Sequence, residues 1–156
     1  MVKINKIISG GQTGVDRAAL DFGLAHNIEI GGWCPKGRRA EDGSIPSRYP
    51  LEETHRYDYP YRTAMNVIHA DGTLVLHQGR LAGGSALTVK IARQHGMPCQ
   101  DVDLHADGAV NAVKQWIEHH PIRVINIAGP RESENRGIHA QARAFLEQVW
   151  AELLVR

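Results

Sequence analysis

The feature that most constrains this chain is a short apolar run that breaks into glycines and continues as a helical pattern. The run is Ile4–Ile8, the glycine-rich segment is Gly10-Gly11-Gln12-Thr13-Gly14, and apolar residues at helical spacing follow from Val15. An apolar run of this length before glycines and a 3.6-residue period predicts a buried strand, a tight turn and an amphipathic helix. The chain therefore begins with a strand–loop–helix unit.

The same unit recurs along the chain. Further strands are predicted at residues 28–33, 72–77, 98–104 and 123–128, and further helices at 61–69, up to 95, through 110–117 and at 135–154. Strands that alternate with helices pair in parallel and carry helices on both faces. Right-handed crossovers place all the strand-to-helix loops at the carboxyl edge of the sheet. We therefore expect an α/β fold with a mainly parallel sheet of at least five strands.

The composition sets outer limits on function. The chain has 156 residues, 42% of them apolar and 22% charged, which predicts a single folded domain over residues 1–156. A net charge of +1 gives no support for binding to nucleic acid through bulk charge. No apolar run is long enough to cross a bilayer, and the N-terminus lacks the layout of a signal peptide, so the expected location is the cytoplasm. The two cysteines are expected to be free thiols, and the histidines form no zinc spacing, so no metal site is assigned.

The loop at Gly10–Gly14 is predicted to bind an anion. A helix N-terminus offers unpaired N–H groups and the positive end of the helix dipole, and glycines let the backbone approach a ligand closely. The pattern is neither a dinucleotide fingerprint nor a Walker loop, so a tight turn that needs glycine for packing is the alternative. Thr13 and Asp16 have the spacing of a capping box. We therefore interpret Asp16 as a cap in the first turn of the helix in preference to a catalytic carboxylate.

Two further glycine-rich loops repeat this arrangement after the third and fifth strands. They are Gly83-Gly84-Ser85 and Gly129-Pro130-Arg131-Glu132-Ser133. Ser85 is predicted to be a cap or a ligand donor, Ser133 to cap the last helix, and Arg131 to project toward the ligand. Three such loops at one edge of the sheet predict a phosphate-binding crevice.

The segment after the second strand contains Lys36, Gly37, Arg38 and Arg39 where a dinucleotide-binding fold would have an acidic residue. This argues against NAD and for a more negatively charged ligand, whose phosphate or oxyanion groups Lys36, Arg38 and Arg39 would contact. A solvated basic turn is the alternative, and it applies most to Arg39.

Residues 35–60 form an irregular insertion rich in proline and charge, which is either a lid or binding loop, or a surface excursion that contacts another subunit. Catalytic patterns are poorly represented, since no nucleophile elbow occurs. Asp16 and Glu132 are the candidate carboxylates, and the sequence does not establish a reaction.

The blocks Ile7–Asp21, Gly32–Gly43 and Asn126–Ser133, together with Arg62-Thr63 and Asn66, resemble the molybdenum carrier family. This family is the circularly permuted YpsA-like branch of the SLOG superfamily. The resemblance covers nearly the whole chain and implies a Rossmann-like three-layer α/β/α fold. It also implies a homo-oligomer of two or four subunits. The phosphate of a ligand would lie on the Gly10–Gly14 and Gly83–Ser85 loops.

The resemblance implies a binding or carrier protein for a phosphorylated small molecule, with molybdenum cofactor as the carried ligand. Related phosphoribohydrolases of the superfamily have a glutamate after their glycine loop, whereas Lys90 stands at the matching place here. A nucleotide-processing enzyme with Asp16 or Glu132 as general base, or a nucleotide-sensing subunit, remains the alternative. Binding to nucleic acid ranks last, because aromatic residues are only 6% of the chain.

Overall fold

A computed structural model describes residues 4–154 of the chain. In chain order the elements are β1 (Lys6–Ile8), α1 (Val15–Ala25), β2 (Glu29–Gly31), β3 (Trp33–Cys34), β4 (Arg39–Ala40), β5 (Gly43–Ser44), β6 (Glu52–Glu53), α2 (Tyr59–Ile68), β7 (Gly72–His77), α3 (Gly83–Gln94), β8 (Cys99–Asp103), α4 (Ala109–His119), β9 (Val124–Ala128) and α5 (Ile138–Leu154).

Five of these strands form a central parallel sheet in the order β2-β1-β9-β7-β8. The last strand of the chain, β9, lies in the middle, where Ile7 of β1 is in register with Ile125 and Leu74 of β7 with Ile127. All four pairings are parallel, so the loops that follow β1, β7 and β9 emerge at the same edge. The predicted parallel sheet of at least five strands is confirmed.

Helices cover both faces of the sheet. Helices α1, α4 and α5 pack together in one layer, and α2 packs against α3 in another. The main core lies between the sheet and the first of these layers, with side chains such as Phe22, Ile125 and Leu146 almost fully buried. Burial of this apolar surface is what holds the layers together, and the three-layer α/β/α prediction is confirmed.

The second predicted strand is shorter than expected. β2 ends at Gly31, because Gly32 has φ +128° and an added Cβ there would lie 2.2 Å from the carbonyl oxygen of Ser9. The chain then leaves the central sheet, and β3 pairs with β6 in a separate two-stranded sheet. The insertion is also more regular than predicted, since β4 and β5 form an antiparallel hairpin with Arg39 opposite Ser44.

Both cysteines are free thiols, as predicted, with Cys34 buried and Cys99 half-buried. Burial raises the pKa of the Cys99 thiol to about 11, and nearby Asp101 adds to this effect. Within residues 4–154, no helix is long and apolar enough to cross a membrane.

Candidate functional site

A cavity of about 250 Å³ opens at the carboxyl edge of the sheet. It is enclosed by the loop after β1, the first two turns of α2, the start of α3 and the segment that follows β9. The chain passes from β1 and β9 to helices of one layer and from β7 to a helix of the other. Ligands bind at such a divergence in open α/β sheets because it leaves a crevice between the loops.

A buried ion pair forms one wall of this cavity. The Nη1 atom of Arg62 lies 3.3 Å from Oδ2 of Asp16 and donates to the carbonyl oxygen of Gly10 at 3.0 Å. Both side chains are nearly buried, with exposed fractions of 11% for Arg62 and 8% for Asp16. An added Cβ on Gly10 would lie 1.9 Å from Nη1 of Arg62, so only glycine allows this approach. The Nε atom of Arg62 is buried and has no hydrogen-bond partner within residues 4–154.

The carboxylate of Asp16 lies at the loop after β1, where an anionic ligand was predicted. Burial raises its pKa, although Arg62 and a hydrogen bond from the backbone N–H of Gln12 act in the opposite direction. The predicted capping box is wrong. Gly14 is the N-cap residue of α1 and makes no side-chain cap, and Thr13 donates its hydroxyl proton to Glu41 instead.

The loop after β9 also receives a carboxylate, this time from the insertion. Glu41 accepts hydrogen bonds from the backbone N–H and the hydroxyl of Ser133 and from the hydroxyl of Thr13. Desolvation alone would raise the pKa of Glu41, but these hydrogen bonds outweigh it and leave the pKa below its ordinary value. The anion-binding groups of this loop are therefore engaged within the chain.

The cap of the last helix is Glu132 and not Ser133, which corrects the prediction. The Glu132 carboxylate accepts from the backbone N–H of Gly137 at 2.6 Å and of His139 at 3.0 Å. Helix α5 accordingly begins at Ile138, three residues later than predicted. A carboxylate in this position satisfies N–H groups that the helix itself leaves unpaired.

The start of α3 differs from both of these loops. The backbone N–H groups of Gly83, Gly84 and Ser85 have no acceptor within residues 4–154, and the first turn contains no acidic residue. The N-cap residue, Ala82, has no side chain that could accept a hydrogen bond. Ser85 is 5% exposed, lines the cavity, and its hydroxyl makes no hydrogen bond to any described residue. Here the cavity has a row of donors that the chain does not use itself.

Comparisons with known proteins agree with this architecture. Residues 7–150 match the model of the circularly permutated YpsA SLOG family. The chain belongs to this family. It is also 47% identical to "Putative molybdenum carrier protein" from Syntrophus aciditrophicus SB, whose crystal structure at 1.45 Å resolution matches with a TM-score of 0.93 over 95% of this chain and 96% of that one. Among curated proteins there is no match. The resemblance predicted from the sequence is confirmed.

The structure of this circularly permuted SLOG protein brings together part of the predicted site. Asp16 lines the cavity, and so do six of the predicted ligand-binding residues. These six are Gly10, Gln12, Gly84, Ser85, Gly129 and Arg131. Six other predicted residues, and also Glu132, belong to the same loops but do not line the cavity. They are Gly11, Thr13, Gly14, Gly83, Pro130 and Ser133. Most of the latter position the loops, as Thr13 does by accepting from the backbone N–H of Glu132 at 3.2 Å.

The basic segment after β3 does not reach the cavity as predicted. Arg38 donates to four backbone carbonyl oxygens of the insertion, at Ile45, Pro46, Tyr49 and Leu51. Lys36 is exposed, with its Nζ atom 5.3 Å from the centroid of the Tyr57 ring. Gly37 donates its N–H to Glu53. These three residues organise the insertion and do not line the cavity.

Sequence reasoning missed several residues that line the cavity. The polar residues among them include Tyr59, Arg62 and Asn126. Thr88 also lines the cavity, and its hydroxyl donates to the carbonyl oxygen of Gly84. Arg62 and Asn126 lie within the blocks that carry the family resemblance, so that signal was available. Among the described residues, no three His, Cys, Asp or Glu side chains are grouped as ligands of a metal ion.

Proposed function

We propose that this protein binds and carries a small phosphorylated or oxyanionic ligand, whose anionic group lies at the N-terminus of α3. The observation that carries the proposal is the set of unpaired N–H groups of Gly83, Gly84 and Ser85 beside the cavity. Helix N-termini stabilise anions through such groups and through the helix dipole. Arg62 and Arg131 line the same cavity, where they pair with the carboxylates of Asp16 and Glu134.

The cavity suits one end of a larger ligand. Its volume of about 250 Å³ is just below the range of roughly 300–1,000 Å³ in which drug-sized molecules are enclosed. The polar donors are N–H and O–H groups, which recognise phosphate or molybdate oxygens. The 47% identical relative is named as a molybdenum carrier, and we propose molybdenum cofactor as the cargo here. The phosphate would occupy the cavity while the rest of the pterin extends over its mouth.

A nucleotide-processing enzyme is the second candidate, because Asp16 is a buried carboxylate in the cavity wall and its pKa is raised. A buried carboxyl group with a raised pKa in a cavity wall is a candidate for general acid–base catalysis. Glu132 does not support this interpretation, since its two carboxylate oxygens accept the backbone N–H groups of Gly137 and His139 at the start of α5. Turnover of a nucleoside monophosphate that is lost in Asp16→Asn, with binding retained, would establish the enzyme.

The carrier proposal is tested by measuring thermal stability with phosphate, molybdate, nucleoside phosphates and a phosphorylated pterin. A ligand at about a hundred times its dissociation constant adds roughly 2.7 kcal/mol. This should raise the melting temperature by about 5–10 °C in a domain of this size. A shift with nucleotides alone would replace the carrier by the second candidate, and no shift with any anion would contradict the proposed site.

The variant Gly84→Asp separates binding from folding. An added Cβ at Gly84 meets no atom within 4 Å, and a carboxylate in the first turn of a helix is favourable by about 0.3–1 kcal/mol. We expect this variant to be as stable as the wild type or more so, yet to lose the anion-induced shift. Asn111→Asp is the matched control, because it places the same charge in the exposed first turn of α4 and should keep the shift.

A further inference from the structure

The insertion places an additional guanidinium beside Tyr59, a residue that lines the cavity. Arg39 is the first residue of β4, and its Cζ atom lies 5.1 Å from the centroid of the Tyr59 ring. Arg62 and Arg131 approach the same ring, with Cζ-to-centroid distances of 5.3 and 5.4 Å. Tyr59, Arg62 and Arg131 line the cavity, so Arg39 is joined to the cavity through the ring.

One aromatic ring cannot stabilise three guanidinium groups equally through cation–π interactions. Its two faces attract cations, whereas its edge repels them. With three guanidiniums this close to the centroid of Tyr59, either two of them share a face or one lies toward the edge. No two of these groups can be farther apart than twice their distance to the centroid, which is about one Debye length at an ionic strength of about 0.1 M. Their mutual repulsion is therefore only partly screened.

Carboxylates of the chain compensate two of the three arginines. Asp16 pairs with Arg62 at 3.3 Å, and Glu134 lies 3.5 Å from Nε of Arg131. The side chain of Arg39 has neither an ion pair nor a hydrogen bond to any residue in the described range 4–154, and the stacking on Tyr59 is its contact there. The positive charge around Tyr59 is thus concentrated on Arg39.

The position of Arg39 is fixed by the hairpin β4–β5, whose tip is attached to the rest of the domain at two points. Asp42 accepts two hydrogen bonds from the guanidinium of Arg17, at 2.5 and 2.8 Å. Glu41 is held by Ser133 and Thr13. These contacts hold the backbone that carries Arg39 in place before a ligand arrives, which reduces the entropy lost on binding.

We propose that Arg39 and Arg131 form a second anion subsite over Tyr59, so that the ligand carries two anionic groups. One group lies at the N-terminus of α3 and the other beside Tyr59. The ligand class is a molecule with two anionic groups, such as a diphosphate, a bisphosphate or a phosphorylated pterin that also carries an oxo-anionic metal, and not a single phosphate or molybdate ion. This inference rests on the proposed function, because it assumes that the first group lies beside Gly84 and Ser85.

Isothermal titration with phosphate, pyrophosphate and fructose 1,6-bisphosphate tests the second subsite. An extra charge-assisted contact should make at least one of the two-group probes bind about tenfold or more tightly than phosphate. This ratio of affinities should fall about tenfold in Arg39→Gln. Arg48→Gln is the matched control, since Arg48 stacks on Tyr49 at 4.6 Å in the same insertion but outside the cavity, and it should keep the ratio.

The outcomes separate this inference from the proposed function. If phosphate binds and Gly84→Asp abolishes that binding, the cavity is an anion site. The second subsite is then overturned if both two-group probes bind no more tightly than phosphate, if Arg39→Gln keeps their advantage, or if Arg48→Gln removes it equally. If none of the three probes binds to the wild-type protein, the proposed function fails together with the inference.

Discussion

The loop after β1 and the start of α3 have the same glycine-rich appearance in the sequence, but they differ in what satisfies their donors. In the first, the N–H of Gln12 donates to Asp16, and the N–H of Thr13 donates to the side chain of Gln12. In the second, three successive N–H groups have no acceptor in the described chain. The first loop contains an anion of the protein itself, whereas the second offers its donors to the cavity.

The glycines of the two regions serve different purposes. Those of the first are required by packing, since an added Cβ on Gly14 would lie 2.3 Å from the carbonyl oxygen of Pro130 and one on Gly10 would meet Arg62. An added Cβ on Gly84 would meet nothing. A glycine-rich loop therefore indicates a close approach of atoms, and only the hydrogen bonds show whether the approaching group belongs to the protein or to a ligand.

The largest effect is expected from replacing glycine in the first loop. Gly14 has φ +82° and ψ −130°, a conformation that L-residues rarely adopt, and alanine there would also press against Pro130. Gly14→Ala should lower the free energy of unfolding by more than about 3 kcal/mol. Gly84→Ala is the matched control and should leave it unchanged or raise it by up to about 1 kcal/mol. Urea denaturation measures both, and equal losses would erase the proposed difference between the loops.

Removing the carboxylate from the first loop should convert it into a site for an external anion. Asp16→Ala leaves Arg62 buried without its partner, which destabilises by about 3 kcal/mol. This is the low end of the range for a broken buried pair, because the variant also relieves the desolvation of Asp16. Formate should restore part of the stability of the variant and have little effect on the wild type.

A control for this experiment is Glu29→Ala, which removes the partner of Lys6 in a pair that is largely exposed. Its expected loss is below about 0.5 kcal/mol, with no recovery in formate. Wild-type stability in Asp16→Ala would show that the carboxylate does not hold the loop.

Glu41→Gln should have a smaller effect on the third glycine-rich loop. The side chain keeps its shape but loses the negative charge that accepts from Ser133 and Thr13. Since Glu41 is exposed and its interactions are screened, we expect a loss of less than about 1 kcal/mol in urea denaturation. Tyr49→Phe, which removes the hydroxyl that donates to Asp21 elsewhere in the insertion, provides a comparison. If Glu41→Gln lowers the free energy of unfolding as much as Gly14→Ala does, the insertion organises the whole site.

The smallest expected effect is on the pH dependence of stability. The pKa of Glu41 is lowered in the folded state, so its contribution is present above the ordinary value of about 4.3 and is lost as the pH falls through the folded pKa. Asp42 adds to the same acid limb, because its hydrogen bonds with Arg17 lower its pKa. Unfolding midpoints between pH 3 and 6 should therefore decline less steeply in Glu41→Gln than in the wild type, and identical slopes would contradict this assignment.

The sequence predicts the sheet and the edge at which the cavity opens, because these follow from local patterns of apolar residues and glycines. It does not predict the walls of the cavity. Arg62 reaches Gly10 across 52 positions of the chain, and no local pattern shows where a long side chain from a neighbouring helix will point. The basic segment Lys36–Arg39 also shows that side-chain directions cannot be predicted locally. Arg38 donates to backbone carbonyl oxygens of the insertion, whereas Arg39 stacks on Tyr59.

The central position of β9 has a consequence for synthesis of the chain. β1 with β2 and β7 with β8 form two separate parallel pairs, and β9 is the strand that joins them. A ribosome must therefore release about four-fifths of the polypeptide before the sheet can close, and this dependence on distant contacts predicts slow folding. Asn126, Gly129 and Arg131 arrive with the same segment, so a chain that stops before β9 lacks both the centre of its sheet and a wall of its cavity.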